Sequence, residues 1–182
     1  YIDILERTLY NAALSGVSMK GDRFFYPNPL ASRGKHARSP WFGCACCPSN
    51  IARFIPSVPG FAYATRGKDI FVNLFISGKA ELKTGDNTIT LRTKTRYPWE
   101  GKVNISVQPR KEESFTVFVR IPLWARNRPV PTDLYRFLRE NQQQPEICVN
   151  GAPVPLQLEK GYAAVQRTWK AGDTLTVNFP LP

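Results

Sequence analysis

Three of the four cysteines in the chain fall within four residues, in Cys44-Ala45-Cys46-Cys47. Thiolates are strong nucleophiles and tight zinc ligands, so a cluster of this kind points to a metal site or a reactive thiol. The competing reading is three small buried residues. Disulfides within the cluster are disfavoured, because near neighbours rarely reach the required Cα separation and dihedral. The one histidine, His36, lies eight residues before Cys44 and could serve as a fourth ligand or as a base for Cys46; an ordinary hydrogen bond is the commoner role. Cys148 sits about a hundred residues away in a predicted strand, where it reads as core. Structural zinc takes four ligands, and the chain contains no pair of CxxC motifs, so its own ligand set is incomplete. Paired-carboxylate chemistry needs two acids flanking a sugar. The acids before the β-rich region are Asp3, Glu6 and Asp22, and the first two are expected at solvated positions of a helix. Trp41 and Phe42, beside the cysteines, would suit either a sugar-ring platform or a core.

These residues need elements to hold them. Pro48 to Ile55 reads as a short helix with Pro48 at its first position, where a missing N–H costs nothing. Ile51, Phe54 and Ile55 form its predicted buried face, and Pro56 and Pro59 end it. Cys46 and Cys47 then lie at the helix N-terminus, whose partial positive charge favours thiolate over thiol. Residues 1–15 read as another helix, with Ile2, Leu5, Leu9 and Ala12 in one stripe and Gly16 as its stop. That stripe needs a partner, and if left exposed it predicts self-association. Arg23–Tyr26 is a candidate short strand, and residues 33–40 form a basic, turn-rich loop.

From residue 61 the pattern is β. Predicted strands run over 61–65, 70–76, 80–83, 88–93, 103–107, 114–121, 146–149, 162–168 and 174–179, separated by turns, and Asn150-Gly151 is a hairpin signal. Such a series predicts an antiparallel β-sandwich. One helical insertion is expected over 132–141, capped by Thr132, with Leu134, Phe137 and Leu138 on one face.

The chain has 182 residues, enough for a substantial core. Its net charge of +11 comes from 25 Lys and Arg against 14 Asp and Glu. The excess is spread along the chain without a basic block, which makes it only a weak sign of nucleic-acid binding. No apolar run approaches the roughly 18 residues of a membrane helix, and the start lacks the basic and apolar blocks of a signal peptide. Because the chain begins at Tyr1, that residue is expected not to be a natural N-terminus.

The segment Trp41-Phe42-Gly43-Cys44-Ala45-Cys46-Cys47-Pro48-Ser49-Asn50, with Arg53, resembles the signature of the DUF1680 proteins. These are glycoside hydrolases of the β-L-arabinofuranosidase type, families 127 and 146. Tyr1–Gly16 is similar to the last helix of the family's barrel, and Phe24-Phe25-Tyr26-Pro27-Asn28-Pro29-Leu30 to the strand that follows it. Arg120-Ile121-Pro122-Leu123-Trp124-Ala125 is similar to a sandwich motif. Val149-Asn150-Gly151 and Trp169 with Gly172-Asp173 resemble its closing hairpins. The resemblance covers essentially the whole chain, and the double-cysteine segment is its specific part.

The resemblance implies a mainly β fold: residues 1–60 as the end of an (α/α)6 catalytic barrel with its cysteine loop, and residues 61–182 as a β-sandwich. It implies retaining hydrolysis, with Cys46 as nucleophile and zinc ligand and Cys47 as zinc ligand; Cys44 is assigned no ligand role. The other ligands, a glutamate and a cysteine, and the general acid/base glutamate belong to upstream segments of family members. The implied partner is a carbohydrate substrate, with no nucleic acid and no membrane, and the fragment alone is expected to be inactive. The alternative is a non-catalytic sandwich that binds carbohydrate or acts as a scaffold, which would not need a double cysteine at a helix start.

Overall fold

A computed structural model describes every residue except Asn28, Leu30 and Pro182. The chain divides into two compact units, Tyr1–Gly60 and Phe61–Pro182.

The first unit opens with α1, Ile2–Thr8, which continues through a wider π-helical stretch, Leu9–Ala13, and a tight 3₁₀ turn, Leu14–Gly16. The apolar stripe is covered in part, with Ala12 exposed. Leu9 is buried and Ile2 and Leu5 are half-buried, whereas Ile4, Tyr10 and Leu14 face solvent. Glu6, expected to be solvated, is buried as well. The expected strand at Arg23–Tyr26 shrinks to single bridges, Val17 to Phe24 and Phe24 to Ser39. The last part of the segment compared with the family's strand, Asn28 and Leu30, lies outside the described residues. The basic loop turns inward at its end: Arg38 donates to the Ser15 carbonyl at 2.6 Å and lies over the Phe25 ring.

Helix α2 spans Cys46–Ser57, beginning two residues earlier than Pro48. Pro48 occupies the third helical position, which is equally free of cost because the first-turn N–H groups have no intrahelical partner. Pro56 lies inside the last turn and does not end the helix. Ile51 and Phe54 are half-buried, and Ile55 is exposed.

The second unit is a sandwich of two sheets. One has strand order β1-β2-β6-β10-β9. Its strands are β1 (Tyr63–Arg66), β2 (Asp69–Val72), β6 (Glu113–Arg120), β9 (Leu158–Glu159) and β10 (Tyr162–Trp169). The other has order β3-β4-β5-β11-β7-β8. It is built from β3 (Gly78–Thr84), β4 (Asn87–Thr95), β5 (Lys102–Pro109), β7 (Glu146–Val149), β8 (Ala152–Val154) and β11 (Asp173–Asn178). Pairing is antiparallel except between β2 and β6, where Ile70, Phe71 and Val72 run parallel to Val117, Phe118 and Val119.

Alternation determines the core. Ile89 and Leu91 of β4, Val103, Ile105 and Val107 of β5, and Leu175 and Val177 of β11 are fully buried, with polar neighbours between them. They meet Ile70, Val72, Val117 and Val119 of the facing sheet in one cluster. Each such side chain contributes roughly 1.5–3 kcal/mol by leaving water. Trp169 closes one end, its indole N–H donating to the Phe115 carbonyl at 3.0 Å.

The expected helix over 132–141 is absent: the segment is an irregular excursion between a 3₁₀ turn at Trp124–Arg126 and β7. Of its expected apolar face, Leu134 is 77% and Leu138 103% exposed, and Phe137 alone is half-buried, beside Trp124 and Ala125. A ten-residue helix that buries one side chain in part does not recover its nucleation cost. The mouth of the excursion is pinned instead. Asn127 Oδ1 accepts the Asn141 N–H at 2.9 Å, and Asn127 Nδ2 donates to the Asn141 carbonyl at 3.1 Å.

The Asn150-Gly151 hairpin forms between β7 and β8, both residues having positive φ. The Asn150 amide donates to Asp173 Oδ1 at 2.8 Å, and the Lys170 N–H donates to Asp173 Oδ2 at 3.0 Å. Burial alone would push the Asp173 carboxyl up; these bonds and the Arg167 guanidinium outweigh it and hold it below the ordinary carboxylate value. A depressed native pKa contributes stability above the unfolded value of about 3.9, and this is lost as pH falls through the native pKa. Asp173→Asn is therefore expected to be less stable than the parent chain in urea at pH 7, with the gap narrowing below about pH 4. A gap independent of pH would show that the charge of Asp173 is not what stabilises the hairpin.

Candidate active site

Cys46 and Cys47 are the first two residues of α2, after the N-cap residue Ala45. No side chain caps this end, so its backbone N–H groups and the positive end of the helix are left to the thiols. Ser49 Oγ turns back to the carbonyls of Ala45 and Cys46, at 2.9 and 3.0 Å. Asn50 and Arg53, one turn on, are joined at 2.7 Å. Cys46 is exposed and Cys47 half-buried, with their sulfurs 3.7 Å apart.

The two thiols are not equivalent. A hydrogen bond from the Tyr26 hydroxyl, assisted by Cys47, Cys44 and the Cys46 backbone N–H, holds Cys46 below the ordinary thiol value against a desolvation penalty. Cys47 is pushed up by its hydrogen bond to Cys46, by burial and by the neighbouring thiolate charge. Tyr26 is pushed up for the same reason, since ionisation would forfeit its bond to Cys46. Of these three groups Cys46 is therefore the most readily ionised. Thiol alkylation depends on the thiolate fraction. Tyr26→Phe is accordingly expected to slow iodoacetamide modification of Cys46 several-fold near neutral pH, read by mass spectrometry of the peptides. An unchanged rate would remove Tyr26 from the site.

Tyr26 was not marked by the sequence, because it lies twenty residues before Cys46 in a segment without a period. Its one sequence signal is the cluster of aromatics around it. The Tyr26 ring packs against Phe42 at 5.4 Å, and Trp41 beside it is 63% exposed. His36 does not join the thiols. Its Nε2 faces the Pro27 carbonyl at 3.1 Å, so Nε2 carries the hydrogen, and its ring stacks on Phe25 at 4.6 Å. Cys44 is exposed, and Cys148 lies in β7 of the second unit. Among the described residues, no group of three or more His, Cys, Asp or Glu could hold a metal ion. Cys47 and Ile51 also line an apolar cleft with Ala12, Ala13 and Phe25. No helix among the described residues is long and apolar enough to cross a membrane.

Residues 1–60 match the model of the β-L-arabinofuranosidase GH127 catalytic domain, and residues 69–181 match that of the GH127 middle domain. The chain is 32% identical over 197 residues to a non-reducing end β-L-arabinofuranosidase of Bifidobacterium longum subsp. longum, covering 100% of this chain and 27% of that protein. A solved GH127 β-arabinofuranosidase superposes with a TM-score of 0.92 at 47% identity, over 100% of this chain and 28% of that one. A GH127 β-L-arabinofuranosidase from Geobacillus stearothermophilus T6 gives 0.85 at 32% identity, over 100% and 28%. The chain spans about a quarter of the length of these relatives. With one family's models matching both of its units, the chain belongs to the GH127 β-L-arabinofuranosidase family.

Proposed function

We propose that the full-length protein carrying this chain is a retaining glycoside hydrolase that releases β-L-arabinofuranose, with Cys46 as its nucleophile. Residues 1–60 are then the end of its (α/α)6 catalytic barrel, and the sandwich is an accompanying domain. The supporting observation is the exposed Cys46 thiol at the start of α2, its sulfur 3.7 Å from that of Cys47. The Cys46 thiolate attacks the anomeric carbon, forming a C–S bond as the glycosidic C–O bond breaks. The departing oxygen takes a proton from a carboxylic acid supplied by the rest of the protein. That group then deprotonates water, which attacks the same carbon and returns the electron pair to sulfur. Two inversions give net retention.

Cys46 and Cys47 also fit a zinc ion. Two thiolates on tetrahedral zinc, at Zn–S of about 2.3 Å, lie roughly 3.8 Å apart. The observed sulfur separation is 3.7 Å. In this reading Cys46 and Cys47 would hold the zinc with further ligands from outside the chain, and zinc bound there would keep the nucleophilic thiol ionised near neutral pH.

The test is hydrolysis of an aryl β-L-arabinofuranoside by the full-length protein, with NMR of the first-formed sugar and metal analysis. The expected results are β-L-arabinofuranose, one tightly held zinc, and little zinc or turnover in the isolated 182-residue chain. An α-configured first product would overturn the retaining mechanism, and full activity of the isolated chain would overturn the need for outside groups.

A further inference from the structure

The β4–β5 loop, Arg96–Gly101, lifts a tryptophan into solvent. Trp99 is 81% exposed, whereas Trp169 is fully buried and Trp124 half-buried. The loop that carries it is firmly held. Tyr97 packs into an aromatic cluster, 5.3 Å from Phe75 and 6.1 Å from Phe179 by ring centroids. The Trp99 N–H donates to the Arg96 carbonyl, and the Gly101 carbonyl accepts the Phe179 N–H, both at 2.9 Å. Thr95 Oγ1 accepts the Tyr97 N–H at 3.0 Å and donates to the Lys102 carbonyl at 2.8 Å. A loop fixed at both ends cannot collapse to bury its indole, so the exposure is built in. On either side of Trp99, Arg96 and Glu100 form an exposed ion pair at 3.1 Å.

The strands leaving this loop continue with polar groups. On the outer face of the sheet Lys94 lies opposite Asn104, Arg92 opposite Ser106, and Thr90 opposite Gln108. This strip carries hydroxyl, amide and cationic groups and no large apolar side chain. An aromatic plane offers a surface for the C–H face of a sugar, and such polar side chains match its hydroxyls. A protein partner would favour an apolar centre with a polar rim, which this face lacks.

We propose that Trp99, with Arg96 and Glu100, forms an auxiliary saccharide-binding platform on the sandwich, with the polar strip of β4 and β5 continuing it along a polysaccharide chain. This deepens the glycosidase reading and rests on it: the platform would hold a polymeric substrate that the barrel unit cleaves.

The experiment is native affinity electrophoresis of the full-length protein in gels containing soluble arabinogalactan, alongside turnover of an aryl β-L-arabinofuranoside. The polymer is expected to retard the parent protein, Trp99→Ala to need at least about fivefold more polymer for half-retardation, and Trp99→Tyr to recover part of the effect. Turnover of the aryl glycoside is expected to stay within about twofold in both variants, because Trp99 is no part of the proposed nucleophile site. Equal retardation of parent and Trp99→Ala, with aryl turnover intact, overturns the platform and leaves the glycosidase reading standing. Absence of aryl turnover in the parent strikes the glycosidase reading itself. Acrylamide quenching provides a second measurement. If removing Trp99 leaves the quenchable fraction of the full-length protein unchanged, the indole is covered by another domain or copy, and the platform is overturned.

Discussion

Cys46→Ala in the full-length protein is expected to lower kcat/KM on an aryl β-L-arabinofuranoside by about 10³-fold or more. Removing a covalent nucleophile removes the bond-forming atom itself, and losses of that order or larger follow when no neighbour substitutes for it. Cys47 does not substitute, because its sulfur is half-buried where that of Cys46 is exposed. Cys44→Ala is expected to cost far less. That side chain is exposed, and its contribution is one of the smaller hydrogen bonds favouring the Cys46 thiolate. The pair of variants separates nucleophile from neighbour. Circular dichroism should show both folded, since the substitution at Cys46 removes an exposed sulfur at a helix end. A Cys46→Ala protein that keeps full turnover would dismiss Cys46 as nucleophile, and a Cys44→Ala protein that loses as much would move the role to Cys44.

Gly101→Ala is expected to be the most damaging small substitution in the sandwich, costing about 3 kcal/mol or more, a loss typical of severe overpacking. A Cβ at this position would lie 1.9 Å from the Phe179 carbonyl oxygen and 2.9 Å from its carbonyl carbon. Neither atom can yield as the end of a flexible side chain would, because both belong to the backbone. The Gly101 carbonyl also accepts the Phe179 N–H, so separating the strands to admit a methyl would break that bond. For a unit of this size the change should lower the melting temperature by roughly 10 °C or more. Gly78→Ala is the control: it sits at the start of β3 with nothing within 4 Å of the added atom. Equal melting temperatures for the two variants would show that the close approach at Phe179 relaxes freely.

The double cysteine was legible because everything that places it is contiguous. Cys46, Cys47, Pro48 and the apolar spacing of Ile51 and Phe54 all lie within a dozen positions. The strands were legible for a similar reason: alternation over six to nine residues, as in Thr88–Thr93, needs no knowledge of the partner. Tyr26 was not legible, since a hydroxyl twenty residues upstream comes to Cys46 only through the path of the intervening loop. The 132–141 segment misled because helical spacing is a local property, whereas helix stability depends on a surface to cover. Leu134 and Leu138 have the spacing and lack the surface.

By itself the sequence determined the β-rich second unit, its turns and the placement of two thiols at a helix start, because propensity, alternation and capping act over a few residues. The tertiary structure alone decided that β2 pairs in parallel with β6 across the excursion through β3, β4 and β5. It also decided that His36 bonds a carbonyl and not a thiol, that Glu6 is buried, and that Tyr26 makes Cys46 the more readily ionised thiol. Each of these depends on contacts between residues far apart in the chain, or on a side chain's surroundings after burial. Their energies are absent from any local pattern and arise only when the folded chain brings the groups together.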